Sequence, residues 1–299
     1  MLSPPDNLGD ADIRAALAEH WRASPRNLSY EAVGFGSHHW MTEEHFISVD
    51  AAEDWSTLAA ALRTATALRD DAGLGFVIAP IPTASGSLLE PATSEWIMHV
   101  YPRLTIVDAT QHGPHTDPTV VELVAKVHAA TSIAAEHAGR EDFSIWDRND
   151  LEEALDDLDA SWDTGPYGER ARVLLAAHAD DVRRLLDAHD ELAAEVPRDG
   201  WVVTHGEPHR GNIFRTTHGW AVVDWDTALL APPERDLWDL PVACDARLRQ
   251  LYRLRWDLAE IAVYVSGFYD DHKGDLNDDQ SWAGLLTYIG AQTRWPELV

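Results

Sequence analysis

The stretch Thr204-His205-Gly206-Glu207-Pro208-His209-Arg210-Gly211-Asn212-Ile213-Phe214 decides the fold. It packs two histidines, a glutamate and an asparagine between apolar runs that read as strands, WVV before it and IF and WAVV after it. Period-two apolar runs interrupted by Gly and Pro predict a strand, a polar loop and further strands over 201–226. Three chemistries suit such a loop: a histidine metal site, an acid–base site or a plain polar turn. His205 and His209 stand four apart, the spacing of a helical zinc motif. Gly206, Pro208 and Gly211 deny them the helix that motif requires.

Composition narrows the choice. The chain has 299 residues, 45% of them hydrophobic, enough for at least one sizeable core. No apolar run approaches the roughly 20 residues that span a bilayer, and MLSPPDNLGD has neither part of a signal peptide, so a cytoplasmic protein is expected. The single cysteine, Cys244, leaves no disulfide and no thiolate cluster. A net charge of −28 argues against nucleic acid, whose phosphates need clustered cations, and suits a cationic partner or simple solubility. Lys126 and Lys273 are the only lysines.

Along the chain, 11–21 reads as a helix with Asp10 as N-cap, 27–50 as three short antiparallel strands, and 52–73 as an Ala- and Leu-rich helix ended by Gly73. Strands are expected at 76–81, 87–90 and 94–102, then helices at 117–131, 150–162, about 169–195, 245–267 and 279–293. In 150–162, Leu151, Leu155, Leu158 and Trp162 keep helical spacing while acids fill the other faces. This order predicts an α+β chain of two lobes: residues 1–102 a small antiparallel sheet with one main helix, residues 103–299 a larger helical lobe carrying the loop.

Magnesium phosphotransfer needs a carboxylate to orient or deprotonate an attacking hydroxyl, and oxygen ligands for the metal. Glu207 and Asn212 provide a carboxylate and an amide oxygen five residues apart, and Asp224 follows twelve later at the end of WAVV. In this order and spacing the chain resembles the aminoglycoside phosphotransferase family, a branch of the protein-kinase-like fold. His205 to Asn212 match its H-G-D-x-x-x-x-N loop, Val223-Asp224-Trp225-Asp226 its metal segment, and PPERDLWDL (232–240) the segment that follows. VGFGSHHW (33–40) resembles its phosphate loop and WIMHVYP (96–102) its adenine hinge. The resemblance implies Glu207 as catalytic base, Mg²⁺ on Asn212 and Asp224, and ATP or GTP held by Gly34, Gly36, Ser37, His38, Met98 and Val100. It implies a structural role for His205, assigns none to His209, for which loop support and substrate contact are the two readings, and leaves Asp226 either supporting the metal site or facing solvent.

Two departures stand out. Glu207 replaces the usual Asp and moves the carboxylate outward by about 1.5 Å, a variant that some antibiotic phosphotransferases similar to this chain also carry. The phosphate-binding lysine of the third strand is missing, with Ser48 at its expected place, and its glutamate partner is missing from the next helix. His38, His39, Arg63 or backbone N–H groups of 34–37 are the substitutes at hand. The acceptor implied is a hydroxylated cationic antibiotic: an aminoglycoside, an aminocyclitol, or a tuberactinomycin peptide such as capreomycin or viomycin. A catalytically silent binding protein and a metabolic small-molecule kinase are the alternatives.

Overall fold

The computed structural model describes residues 1–34, 36–108, 117–290 and 295. Helix α1 (Asp10–Ala16) leads into a wider turn at Leu17–Trp21. Its N-cap is Gly9 rather than Asp10. Asp12 reaches back to accept the Gly9 N–H, which frees the Asp10 carboxylate to accept from Trp40 Nε1 at 2.9 Å. Strands β1 (Ser29–Glu31), β2 (His38–Met41) and β3 (His45–Ala51) follow as alternation predicts. Helix α2 (Trp55–Asp70) is then followed by β4 (Glu90–Pro91) and β5 (Trp96–Pro102). The strands form one antiparallel sheet in the order β1-β2-β3-β5-β4.

Alternation gives this sheet two faces of different chemistry. On one, Trp40, Ile47, Val49, Met98 and Val100 close over Ile13 and Leu17. The other carries His39, Ser48, Asp50, His99 and Tyr101 beside Ile97, which packs on Leu58 and Leu62 of α2. The opposite side of α2 is Ala-rich for a reason. Ala61, Ala65 and Leu68 lie in a second core with Val203, Ile213, Val222 and Trp225, the residues that frame the polar loop. Segment 76–81 is not a strand of its own; Val77 bridges Val222, and Phe76 and Ile78 exchange backbone hydrogen bonds with Val222.

Next come β6 (Ile106–Asp108), α3 (Pro118–Ala129), α4 (Thr131–Ala134), β7 (Gly139–Arg140), α5 (Arg148–Asp156) and α6 (Gly168–Ala194). Asp117 caps α3 by accepting from Thr119 N–H, with Pro118 at the first helical position. α5 stops at Asp156, short of the expected 162. Leu158 and Trp162 still pack on the core from the following turn, where Trp162 Nε1 bonds the Asp157 carbonyl. The loop region is β8 (Val202–Thr204), β9 (Ile213–Thr216), β10 (Gly219–Val222) and β11 (Leu229–Ala231), then α7 (Glu234–Leu237). Helices α8 (Ala246–Tyr269) and α9 (Leu276–Tyr288) end the described chain, apart from Trp295; residues 291–293 of the last expected helix lie outside the described residues.

Two compact units result. One combines 1–141 with 200–243, the other 142–199 with 244–299. In the second, α5, α6, α8 and α9 pack around Leu175, Leu185, Leu258, Ile261 and Phe268. Among the described residues no helix is long and apolar enough to cross a membrane.

Since Leu62 is fully buried where α2 meets the sheet, Leu62→Ala should destabilise the fold by about 2–5 kcal/mol through lost contacts and a residual cavity. A lowered urea midpoint reads this out.

Candidate active site

The loop between β8 and β9 has no regular structure to satisfy its backbone, so side chains do it. Asp236, buried at the start of the α7 turn, accepts from His205 N–H at 3.1 Å and Gly206 N–H at 2.6 Å. Its second oxygen also accepts from His128 Nε2 of α3 at 2.8 Å. Burial pushes its pKa up, but the His128 bond and charge and the Gly206 N–H outweigh this, and the carboxyl lies below its ordinary value.

His205 is a second strut. Its Nδ1 accepts from Glu207 N–H at 3.2 Å, which places the proton on Nε2, and Nε2 donates to the Val223 carbonyl at 2.7 Å. Burial lowers its pKa, in keeping with this neutral tautomer. The ring also meets Trp225 edge-on at 4.6 Å. A single imidazole thereby ties the loop to the segment bearing Asp224.

Gly206 has φ +104°, and a Cβ there would stand 2.5 Å from Arg235 Nη1. The guanidinium needs that space. It donates to Thr204 Oγ1 at 3.0 Å and the Thr227 carbonyl at 2.9 Å, and pairs with buried Glu141 at 3.3 Å.

Glu207 is thus presented on a braced turn. His209 Nε2 lies 3.5 Å from Glu207 Oε2, and His209 Nδ1 accepts from Gly211 N–H at 3.0 Å. Burial raises the Glu207 pKa, yet His209 first, then the charges of His205 and Arg235, bring it below the ordinary value. The carboxylate is ionised at neutral pH, as a base must be. Asn212 donates through Nδ2 to the Glu207 carbonyl at 3.1 Å, so its amide oxygen is the atom left to serve as a ligand.

Beyond β10, Asp224 adopts a left-handed backbone with φ +66°, a conformation uncommon outside glycine and concentrated at functional sites. Asp224 is exposed to solvent. Asp226 foremost, then burial, Glu207 and Asp50, push its pKa well up. Asp226 itself is raised to about 7 by burial, Glu207 and Asp50.

These mutually repelling carboxylates, with one amide oxygen beside them, suit a hard divalent cation, and Mg²⁺ fits the donor chemistry. Among the described residues no three His, Cys, Asp or Glu side chains form a ligand cluster. An ion that takes much of its shell from phosphate and water does not require one.

The other expected nucleotide residues divide between the two sheet faces. Gly34 and Gly36 sit in the turn before β2 with φ +74° and +91°. Ser37 Oγ donates to Asp50 on the polar face. The His38, Met98 and Val100 side chains lie on the apolar face: His38 bonds Tyr30 OH at 3.1 Å, Met98 and Val100 are fully buried, and the Val100 carbonyl accepts from Ile81 N–H at 2.7 Å.

The polar face brings in residues that sequence reading passed over. Asp50 receives His99 Nε2 at 2.8 Å, and His99 Nδ1 lies 3.1 Å from Tyr101 OH. The signals were present: Asp50 is two residues from Ser48 on one strand, and His99 is a polar residue inside an apolar run. Tyr101 is raised well above its usual pKa by burial and by Asp226, Asp224 and Asp50, which sets these groups in one electrostatic neighbourhood.

The sequence pattern of APH, the phosphotransferase enzyme family, matches residues 56–267. The chain belongs to that family. Protein StrN of Streptomyces griseus is 31% identical over 243 residues, 74% of each chain. The crystal structure of spectinomycin phosphotransferase APH(9)-Ia with ADP and spectinomycin superposes with a TM-score of 0.72 at 16% identity, over 94% of this chain and 95% of that one. Amicoumacin kinase hAmiN with AMP-PNP, Ca²⁺ and Ami gives 0.55 at 13% identity, over 95% and 93%. The fold is therefore α+β and protein-kinase-like, and the enzyme is a phosphotransferase.

Gly206→Ala should abolish turnover and cost at least about 1–3 kcal/mol from its backbone conformation alone, with displacement of Arg235 added; thermal unfolding and transfer assays check both. Asp236→Asn should change the acid limb of stability. A carboxyl with a depressed folded pKa stabilises fully above its unfolded value of about 3.9 and loses this as pH falls through the folded value. Wild type should therefore lead the variant at neutral pH, and the gap in urea midpoints should close on acidification.

Proposed function

We propose that this enzyme is a Mg²⁺-dependent O-phosphotransferase that moves the terminal phosphate of ATP or GTP to a hydroxyl of a cationic antibiotic. The observation that carries the reading is the braced, ionised Glu207 on the loop that also holds Asn212, joined through His205 to the Asp224 segment. Mg²⁺, held by Asn212 and Asp224, would supply charge neutralisation at the phosphates. Glu207 takes the acceptor hydroxyl proton as the oxygen bonds to the γ-phosphorus, the bond to the β-phosphate bridging oxygen breaks, and the nucleoside diphosphate leaves. Glu207 is longer than Asp by one methylene, and the turn stiffened by Gly206 and His209 fixes where that longer arm ends.

Functionally, residues 1–102 would hold the donor and 103–299 the metal and acceptor, in the cytoplasm. A cationic acceptor suits the −28 net charge, which draws cations by long-range attraction. Spectinomycin and Ami, bound by the two structural relatives, support an antibiotic as acceptor class. Aminocyclitols, aminoglycosides and tuberactinomycin peptides are the first acceptors to try. Incubation of such a panel with enzyme, Mg²⁺ and ATP or GTP, read by mass spectrometry, should show one acceptor gaining a single phosphate; no gain across the panel rejects the reading.

A catalytically silent binding role has one observation in its favour, the carboxylate of Asp50 on the sheet face where a phosphate-binding cation is expected. Antibiotic binding with no nucleotide binding, with or without Mg²⁺, would select it. For the catalytic reading, Glu207→Gln should cut kcat by about 10²–10⁴-fold and leave nucleotide affinity unchanged in a direct titration.

A further inference from the structure

A nucleoside triphosphate brings several negative charges to a neighbourhood where Asp50, Glu207, Asp224 and Asp226 already repel one another. One divalent ion does not balance that set, and no lysine lies within the first 125 residues. A protein cation is needed, and the structure sorts the available side chains.

Arg63 lines a separate cleft with Trp55, Thr66, Asp71 and His137. Arg69 is committed to Asp70 and the Ala79 carbonyl. His38 lies on the apolar face, bonded to Tyr30. His99 is 3% exposed with both ring nitrogens engaged, by Asp50 and Tyr101.

His39 remains. It stands on the polar face, cross-strand from Ser48, which is itself paired with His99. Its ring leans on Phe46 at 4.9 Å and lies against the turn before β2, since a Cβ on Gly34 would come within 3.2 Å of Nε2. Its Nδ1 is buried and has no hydrogen-bond partner among the described residues. With Nε2 against the turn, this second ring nitrogen is a buried polar atom that a bound group would satisfy.

We propose that His39 is the cation that contacts the nucleotide phosphates, taking up a proton as the polyphosphate binds. This rests on the nucleotide-donor reading above. Its pKa is held at about 4 by burial, then by the N-terminal ammonium, with His99 and His38 adding to the effect and Asp50 opposing it. The ring is therefore neutral at pH 7 without ligand. A phosphate against it raises the pKa, so binding takes up a proton. The sign follows by linkage: affinity is greatest at low pH and falls as pH rises through the pKa of the bound state. The device differs from a lysine in being charged only when phosphate is bound, which spares the free protein a buried cation.

Isothermal titration of the full chain with AMP-PNP and Mg²⁺ at pH 7, in buffers of different ionisation enthalpy, tests this. Wild type should take up close to one more proton per nucleotide than His39→Gln, the reference for protons that Asp224, Asp226 and the nucleotide release as Mg²⁺ binds. His39→Gln should lose the uptake and bind about 10- to 100-fold more weakly, as for a lost charge-assisted hydrogen bond. His39→Lys should bind without uptake and with a flat pH dependence. Binding by wild type with no proton uptake beyond that of His39→Gln overturns the inference and leaves the phosphotransferase reading standing. Uptake that persists in folded His39→Gln, checked by circular dichroism, and vanishes in His99→Gln also overturns it. No nucleotide binding by wild type overturns both. His39→Lys, which carries a permanent cation at the same position, serves as the second reference where His39→Gln fails to fold.

Discussion

The site depends on one buried carboxylate. Asp236 accepts two consecutive backbone N–H groups of the loop and the imidazole of His128, joining three chain segments far apart in sequence. Backbone donors in an irregular buried turn cannot be left unpaired, and each would cost about 1–3 kcal/mol if they were. Once His205 and Gly206 are fixed, the direction of Glu207 follows. His205 then passes the constraint to Val223, and so to Asp224, through one imidazole with its proton on Nε2.

Arg235 does for packing what Asp236 does for hydrogen bonding. Its guanidinium occupies the space a side chain at 206 would fill, and its donors go to Thr204 and Thr227 on the strand and turn that flank the loop. The two residues are neighbours in sequence and grip opposite sides of one turn. Trp225, fully buried beside the His205 ring, seals the same turn against the core that α2 and α3 share with β8, β9 and β10.

Much of this was legible in the sequence because the turn chemistry is local. Gly206, Pro208 and Gly211 exclude a helix, and a five-residue spacing on one loop is visible without a fold. The strands at 29–31, 38–41 and 45–51 were legible for the same reason, since period-two alternation is written along the chain. Long-range partners were not. That Asp236, inside a recognised segment, pairs with His128 across more than a hundred residues leaves no periodic trace. The sheet faces were half legible: alternation shows that Ser48 and Asp50 share a side, but only the register with β5 shows that His99 joins them and that Met98 and Val100 do not. The early end of α5 was illegible because Leu158 and Trp162 keep helical spacing while reaching the core from a turn.

The missing lysine is then better understood as a change of electrostatic design than as a lost part. A lysine–glutamate pair places a permanent charge beside the phosphates and a carboxylate to hold it. Here the strand β3 carries the carboxylate, Asp50, and the partner strand β5 carries the base, His99, while Ser37 closes the other oxygen. Burial raises the Asp50 pKa, but His99 and Ser37 together hold it below the ordinary value, so it remains charged facing the metal segment. That charge raises Asp224 and Asp226, and so strengthens the demand of these carboxylates for cations. On the proposed function, nucleotide and divalent ion would be more favourable together than either alone, because each would neutralise charge the other has to face. A site arranged this way would couple donor binding to metal binding through electrostatics.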